Sequence, residues 1–242
     1  MANGEAFEDA VVLSRRNPTL DVGCHLVLIG GRSLLDTDRQ FPGTVREMVQ
    51  AVMLRKLNPY DELRAQIEKI LDAGVRPTHL DTHKHTHLLP QVMDAVVRLS
   101  QEFSIRWVRR PFDFPMSGSQ GVPMLKRITS RSLQVVRGRF HRLLEQHGCR
   151  TTDHFAGFQI TGRFRSQELE TLFRNLPEGS TEFMCHPGFC TPELRSARTR
   201  LKESRETELN ALIDPNVRHI LDAEGVTIVN YSALRFSSAT AN

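Results

Sequence analysis

The sequence predicts an α/β fold in which parallel strands alternate with helices. From residue 6 to residue 233, segments with helical apolar spacing alternate with short segments rich in β-branched and apolar residues. This alternation is typical of parallel strands joined by right-handed helical crossovers. The chain has 242 residues, a length that one such domain can reach, and no linker, repeat or low-complexity segment divides it. We therefore predict a single domain over residues 1–242.

Terminal signals and apolar spacing place the elements. Residues 59–74 are the clearest helix, because proline suits its first turn and Gly74 suits a C-terminal cap. Residues 21–29 predict a strand, since they are apolar and stop at two glycines. The other predicted elements, in chain order, are a helix at 6–16, a helix at 45–57, a strand at 78–81, a helix from Pro90 to Phe103, a strand at 105–109, a strand near 155–160, a helix near 166–175, a strand at 181–187, a helix ending near 223 and a strand at 226–233.

The composition is that of an ordinary globular protein. Hydrophobic residues make up 39% of the chain and charged residues 25%, which argues against wholesale disorder. No apolar run reaches the roughly 20 residues that a membrane-spanning helix needs, and the N-terminal segment is acidic where a secretory signal is basic. The four cysteines form no CxxC pair, which suits a reducing compartment. We therefore expect a cytoplasmic protein.

Positive charge is concentrated in one predicted helix. Residues 121–150 contain seven basic residues and one acidic residue, a net charge of +6 against +4 for the whole chain. Apolar residues recur at near-helical spacing over 121–147, which indicates a basic amphipathic helix. Such a helix either contacts an anionic membrane surface, here peripherally at the inner membrane, or presents a solvated face on an ordinary packed helix. The scarcity of Trp and Tyr and the lack of a known binding motif argue against a nucleic-acid partner.

Four of the ten histidines lie in the stretch HLDTHKHTHLLP, residues 79–90. Within it, His83, His85 and His87 recur at every second position. All three would share one face of an extended segment, whereas in a helix only the first and the third would. Imidazoles beside a carboxylate such as Asp81 are typical of a site for a divalent metal. Not all three need bind the metal, since one or two could orient a substrate.

Two further histidines lie in or after predicted strands. His25 lies within VGCHLVL, and His186 precedes a Pro-Gly turn at the end of TEFMCHPG. Because ligands collect at the carboxyl ends of parallel strands, we expect His25, His83 and His186 to contribute to one site. Taken singly, His25 also fits a core histidine and His186 a loop histidine, and this alternative stays open.

These segments resemble the YdjC/ChbG-like carbohydrate deacetylases. The matching pieces are VGCHLVL, THLDTHKHTHLLPQV and EFMCHPG, in that order, and the resemblance covers essentially the whole chain. It implies an irregular TIM-like (β/α) barrel that removes the N-acetyl group of an amino sugar with one divalent metal ion, which the residues leave open as Mg, Zn or Mn. The segments NGEAFEDAV and VRRPFDFP look most like the branch of the family that is associated with hopanoid biosynthesis. That branch implies an N-acetylglucosaminyl hopanoid lipid as the substrate.

The resemblance also implies roles for seven side chains. It makes His25 and His83 metal ligands. It makes His186 and Asp81 catalytic residues, and it places His85, His87 and Arg110 in the substrate pocket.

One part of the family pattern has no counterpart in this sequence. The family opens on a strand that ends in an Asp-Asp-Phe-Gly motif, which is absent. We therefore expect a TIM-like barrel without its first strand and helix, an N-terminally incomplete domain, and a chain that, as written, is poorly active or prone to aggregation. Two other functions stay open, a non-catalytic metal-binding remnant and a different metal hydrolase, such as a phosphoesterase, on the same barrel. Assembly into a homodimer also stays open.

Overall fold

The structure is a computed structural model that describes residues 1–114, 124–197 and 199–234, with the backbone alone over 124–134. Most of the segment 111–121 lies outside these residues. The helices are Phe7–Arg16 (α1), Val45–Met53 (α2), Pro59–Asp72 (α3), Pro90–Glu102 (α4), Met124–Gln146 (α5), Ser166–Phe173 (α6), Pro192–Ser196 (α7), Glu203–Leu212 (α8) and Pro215–Ala223 (α9). The strands are Cys24–Leu26 (β1), His79–Thr82 (β2), Trp107–Val108 (β3), His154–Ala156 (β4) and Thr181–Phe183 (β5), and two 3₁₀ segments cover His83–Leu88 and Tyr231–Ala233.

The chain divides into two compact units, each built from segments that are separate in sequence. The first comprises Met1–Arg109, Val136–Thr151 and the segment that begins at Val229, and the second comprises Arg110–Val135 and Thr152–Ile228. The prediction of one domain over 1–242 therefore stays a prediction. No helix in the described part of the chain is both long and apolar enough to cross a membrane.

The first unit is built on a parallel sheet in the order β1-β2-β3. Helices α3 and α4 pack against each other through buried apolar side chains, and α3 also contacts β1. Strand β1 ends early because the fully buried Gln66 amide takes over its pairing. The Gln66 side chain accepts from the Val27 N–H and donates to the Val27 carbonyl, both at 2.8 Å. The backbone N–H and carbonyl of Val27 are therefore both hydrogen-bonded without a longer strand.

The second unit contains a two-stranded parallel sheet of β4 and β5. Its core lies where α6 contacts α9, and it includes the fully buried Phe164 and Leu169. Asp113, which is buried, accepts hydrogen bonds from the N–H groups of Phe158 and Gln159 at 3.0 and 2.8 Å. This carboxylate fixes the loop that follows β4.

The α/β class with parallel sheets is confirmed. Closure into a TIM-like barrel stays a prediction, because the described strands form two separate sheets. The predicted strand at 226–233 is wrong: the described backbone over 226–230 has no strand structure, and Tyr231–Ala233 is a 3₁₀ turn. Strand propensity is realised only where a neighbouring strand offers backbone partners, and none of the described strands pairs with this segment.

Gly157, directly after β4, should not tolerate alanine. Its φ is +120°, and an added Cβ would lie 2.3 Å from the Met184 carbonyl oxygen. We expect Gly157→Ala to lower the free energy of unfolding by about 2 kcal/mol or more, because strain and a backbone clash add together. Gly225→Ala is the matched control, since Gly225 also has a positive φ but has open space around its Cβ position. Equal losses for the two variants in urea unfolding would contradict this account.

Candidate active site

His25 and Asp81 lie side by side on neighbouring parallel strands. They are register partners of β1 and β2, so their side chains project from the same face of the sheet. His25 Nδ1 lies 2.8 Å from Asp81 Oδ2. Burial alone would raise the pKa of Asp81, but the positive charge of Arg109 and the hydrogen bond from His25 outweigh it and hold that pKa well below its ordinary value. An ionised carboxylate can only accept, so Nδ1 of His25 carries the proton.

Protonation of Nδ1 leaves the other ring nitrogen of His25 with a lone pair. This Nε2 lies 3.4 Å from Nδ1 of His83, and the two rings meet at 78°. Two nitrogens bound to one tetrahedral metal ion at about 2.1 Å are themselves about 3.4 Å apart. The His25–His83 pair therefore has the spacing of two ligands on one ion. A carboxylate on the far nitrogen of a metal-binding imidazole is also the usual way to orient it.

The described part of the chain contributes two imidazoles to this candidate metal site. Among the residues that the structure describes, no group of three His, Cys, Asp or Glu side chains is arranged to hold a metal ion. The His25 side chain is 33% exposed, so the pair can be reached from solvent. Imidazole nitrogens suit Zn, Mn and other divalent transition ions. The donor set fits a divalent metal ion that keeps open positions for water or substrate.

The stretch after His83 is neither an extended strand nor a regular helix. Lys84 and His85 both have φ of +53°, in the left-handed region that residues other than glycine rarely adopt. Neither arrangement considered for the alternating histidines is therefore the one found. The His85 and His87 ring centroids lie 6.2 Å apart. Burial, the largest cause, lowers the pKa of His85 to about 3, so this imidazole is neutral near pH 7.

His87 is fully buried and makes hydrogen bonds through both ring nitrogens. Its Nε2 lies 3.1 Å from the Arg109 carbonyl oxygen, and its Nδ1 lies 2.5 Å from the Thr82 hydroxyl. Because a carbonyl can only accept, Nε2 donates and Nδ1 accepts from the hydroxyl. Burial lowers the pKa of His87 to about 4. The substrate-binding role expected for His87 stays a prediction, and these contacts give the residue a structural task of its own.

Arg109 is a residue of this site that sequence reasoning missed. It follows β3, and its Nη1 donates a hydrogen bond to Asp81 Oδ2, the oxygen that also contacts His25. Its side chain is only 15% exposed. The one signal in the sequence was the pair of arginines in VRRP, of which the family resemblance favoured the other.

The remaining predicted residues, Arg110 and His186, belong to the second unit. Arg110 is buried, and its Nη1 donates to the backbone carbonyls of Thr152 and Asp153. The backbone N–H of His186 donates to the carboxylate of the buried Glu208 at 2.7 Å, while the other oxygen of Glu208 accepts from Gly162. The Glu208 carboxylate therefore connects the residue before the Pro-Gly turn to the segment that contains Gly162. The predicted roles of Arg110 and His186 in substrate binding and catalysis stay predictions.

The chain is similar to known proteins over nearly its whole length. A carbohydrate deacetylase of Clostridium beijerinckii is 27% identical over 239 residues, covering 96% of this chain and 85% of the relative. A carbohydrate deacetylase of Geobacillus stearothermophilus is 29% identical over 239 residues, covering 96% of this chain and 83% of the relative. A crystal structure from Enterococcus faecalis V583, provisionally assigned to cellobiose-phosphate cleavage, has a TM-score of 0.72 at 20% identity and covers 98% of this chain and 86% of its own. Since the family model described as YdjC-like protein matches residues 1–223, the chain belongs to the YdjC-like protein family.

Proposed function

We propose that this chain is a metal-dependent carbohydrate deacetylase that hydrolyses the N-acetyl group of an amino sugar. The observation that carries the proposal is the spacing of 3.4 Å between His25 Nε2 and His83 Nδ1, with a carboxylate on the far nitrogen of His25. The carbohydrate deacetylases among its relatives match nearly the whole chain at 27–29% identity, which supports a shared reaction.

The chemistry of amide hydrolysis fits the residues assigned to it. A divalent ion would supply Lewis acidity toward the acetyl carbonyl and toward water. His25 and His83 would hold that ion through neutral nitrogens, and Asp81 would keep the ring of His25 in the required tautomer. Hydrolysis then needs a base for the water proton and an acid for the leaving amine as the C–N bond breaks. We propose His186 for both roles: it would take the water proton as the C–O bond forms and return it to the amine as the C–N bond breaks, which gives acetate and a free amino sugar.

We further propose that the substrate is carried by a lipid, in keeping with the resemblance to the hopanoid-associated branch. The described C-terminal half of α5 supports this, because Arg137, Arg139 and Arg142 are exposed there and Val135 is 86% exposed. Basic residues beside exposed apolar ones suit contact with an anionic membrane surface. The basic residues between 124 and 134 lie outside the described side chains. An N-acetylglucosaminyl hopanoid is the substrate that we propose.

Acetate release is the measurement that tests the reaction. We expect the purified chain to release acetate from N-acetylglucosamine oligosaccharides or an N-acetylglucosaminyl lipid when Zn, Mn or Mg is added, and to lose this activity with a chelator. Phosphate release from p-nitrophenyl phosphate is the parallel assay. Phosphate release without acetate release would favour a phosphoesterase, and metal binding without either product would favour a non-catalytic remnant. Both outcomes would contradict the proposal.

A further inference from the structure

We infer that Arg109 is a positioning residue, which sets the metal affinity of the His25–His83 pair by fixing the carboxylate that orients His25. The inference rests on the proposed function, because it concerns the same metal site. It adds to that site a residue that never touches the ion. Three features of the first unit lead to it: the shared oxygen of Asp81, the position of the guanidinium, and the way in which the Arg109 backbone is held.

The first feature is that a single oxygen serves two donors. Asp81 Oδ2 accepts from Nδ1 of His25 and from Nη1 of Arg109. The residue is only 5% exposed, so water cannot readily replace either donor. A carboxylate that had only one donor could rotate and present either oxygen to His25. With the guanidinium in place, Oδ2 is held between the two partners and the ring of His25 is fixed with it.

The second feature is the charge of the guanidinium. A buried carboxylate without a positive partner is costly, and removal of one member of a buried ion pair leaves the other uncompensated. Arg109 supplies a permanent positive charge at 15% side-chain exposure. The carboxylate can therefore serve purely as an acceptor toward His25 Nδ1, which leaves Nε2 directed at His83. Without Arg109, the His25 ring should adopt more than one orientation, so that its Nε2 is no longer held toward His83.

The third feature is that the backbone of Arg109 is anchored on both sides. Its N–H donates to the Leu80 carbonyl at 3.0 Å, which continues the pairing of β3 with β2. Its own carbonyl accepts from Nε2 of the buried His87 at 3.1 Å. The two anchors place the guanidinium within reach of Asp81. The last histidine of the motif is thus connected to the metal pair through Arg109 and Asp81.

Arg109→Gln tests the inference by two measurements that do not depend on turnover. We expect its affinity for Zn, measured by competition with a chelator, to fall by about 10- to 100-fold, as is usual when a residue that orients a ligand is removed. We also expect ¹⁵N NMR of the metal-free protein to show His25 as the Nδ1–H tautomer in the native chain and as a mixture in the variant. Arg109→Lys keeps the positive charge but loses the planar guanidinium group. Its affinity for Zn should therefore lie between that of the native chain and that of Arg109→Gln.

The matched control is Arg64→Gln, which removes an arginine from an exposed ion pair with Glu68 and Glu102 in the same unit. It should change neither the Zn affinity nor the tautomer. Arg109→Gln with native affinity within about twofold and a native tautomer would overturn the inference, and so would an equal loss in the control. If Arg109→Gln does not fold, the Lys variant carries the same test. Failure of the native chain to bind Zn would overturn the proposed function, whereas the tautomer of metal-free His25 would still decide whether Arg109 positions the ring.

Discussion

Replacing His83 with alanine should abolish stoichiometric metal binding and reduce acetate release by at least about 10³-fold. The described part of the protein offers two imidazole nitrogens at the spacing of a shared ion, so each variant at His25 or His83 removes half of that donor set. A rate loss of this size corresponds to about 4 kcal/mol of transition-state stabilisation, which is what a Lewis acid at a carbonyl typically contributes. Metal content after dialysis against Zn or Mn, together with initial rates of acetate release, measures both effects.

The control for this prediction is His219→Ala, which removes an exposed histidine of α9 in the second unit. It should leave about one equivalent of metal and the native rate. The assignment of His25 and His83 as ligands would be wrong if either alanine variant kept a full equivalent. Loss of metal without loss of turnover would separate binding from chemistry and would contradict the metal-dependent reaction.

Sequence reasoning succeeded where the determining signals are local. Helices α3 and α4 were predicted with nearly correct bounds, because each begins at a proline and buries one apolar stripe. It failed at residues 226–233, where β-branched residues suggested a strand. Ile228 and Val229 are instead more than half exposed. Local propensity does not report whether a neighbouring strand is present to pair with.

The same distinction explains the site. His25, Asp81 and His83 could be proposed from the motif, because strand ends collect functional side chains. The contact of Arg109 with Asp81 depends on the register of β3 against β2, and a shift of one residue would have presented Arg110 instead. The left-handed backbone at Lys84 and His85 is also not marked in the sequence by a glycine, the residue that most readily adopts it. These nonlocal features decide which residues of the motif contact one another.

Acidification should destabilise the protein through His87, and His87→Gln should remove much of that dependence. The folded pKa of His87 is about 4, whereas an unfolded histidine has a pKa of about 6.5. Between these values the unfolded chain binds a proton that the folded chain does not, so the free energy of unfolding falls as the pH drops through this window. The stability contributed by neutral His87 is fully present above about pH 6.5, and about 3 kcal/mol of it is lost by pH 4.

Glutamine is the informative replacement, because its amide N–H can still donate to the Arg109 carbonyl that His87 Nε2 contacts. It cannot take up a proton in this range. Urea unfolding at pH 7 and pH 4 should therefore show a loss about 3 kcal/mol larger for the native chain than for His87→Gln. Other buried histidines, such as His85, titrate in both proteins, so the difference between the two losses isolates His87. Identical losses would show that His87 has the same pKa in the folded and unfolded states, and the hydrogen bonds that place it against Thr82 and Arg109 would then need a different arrangement.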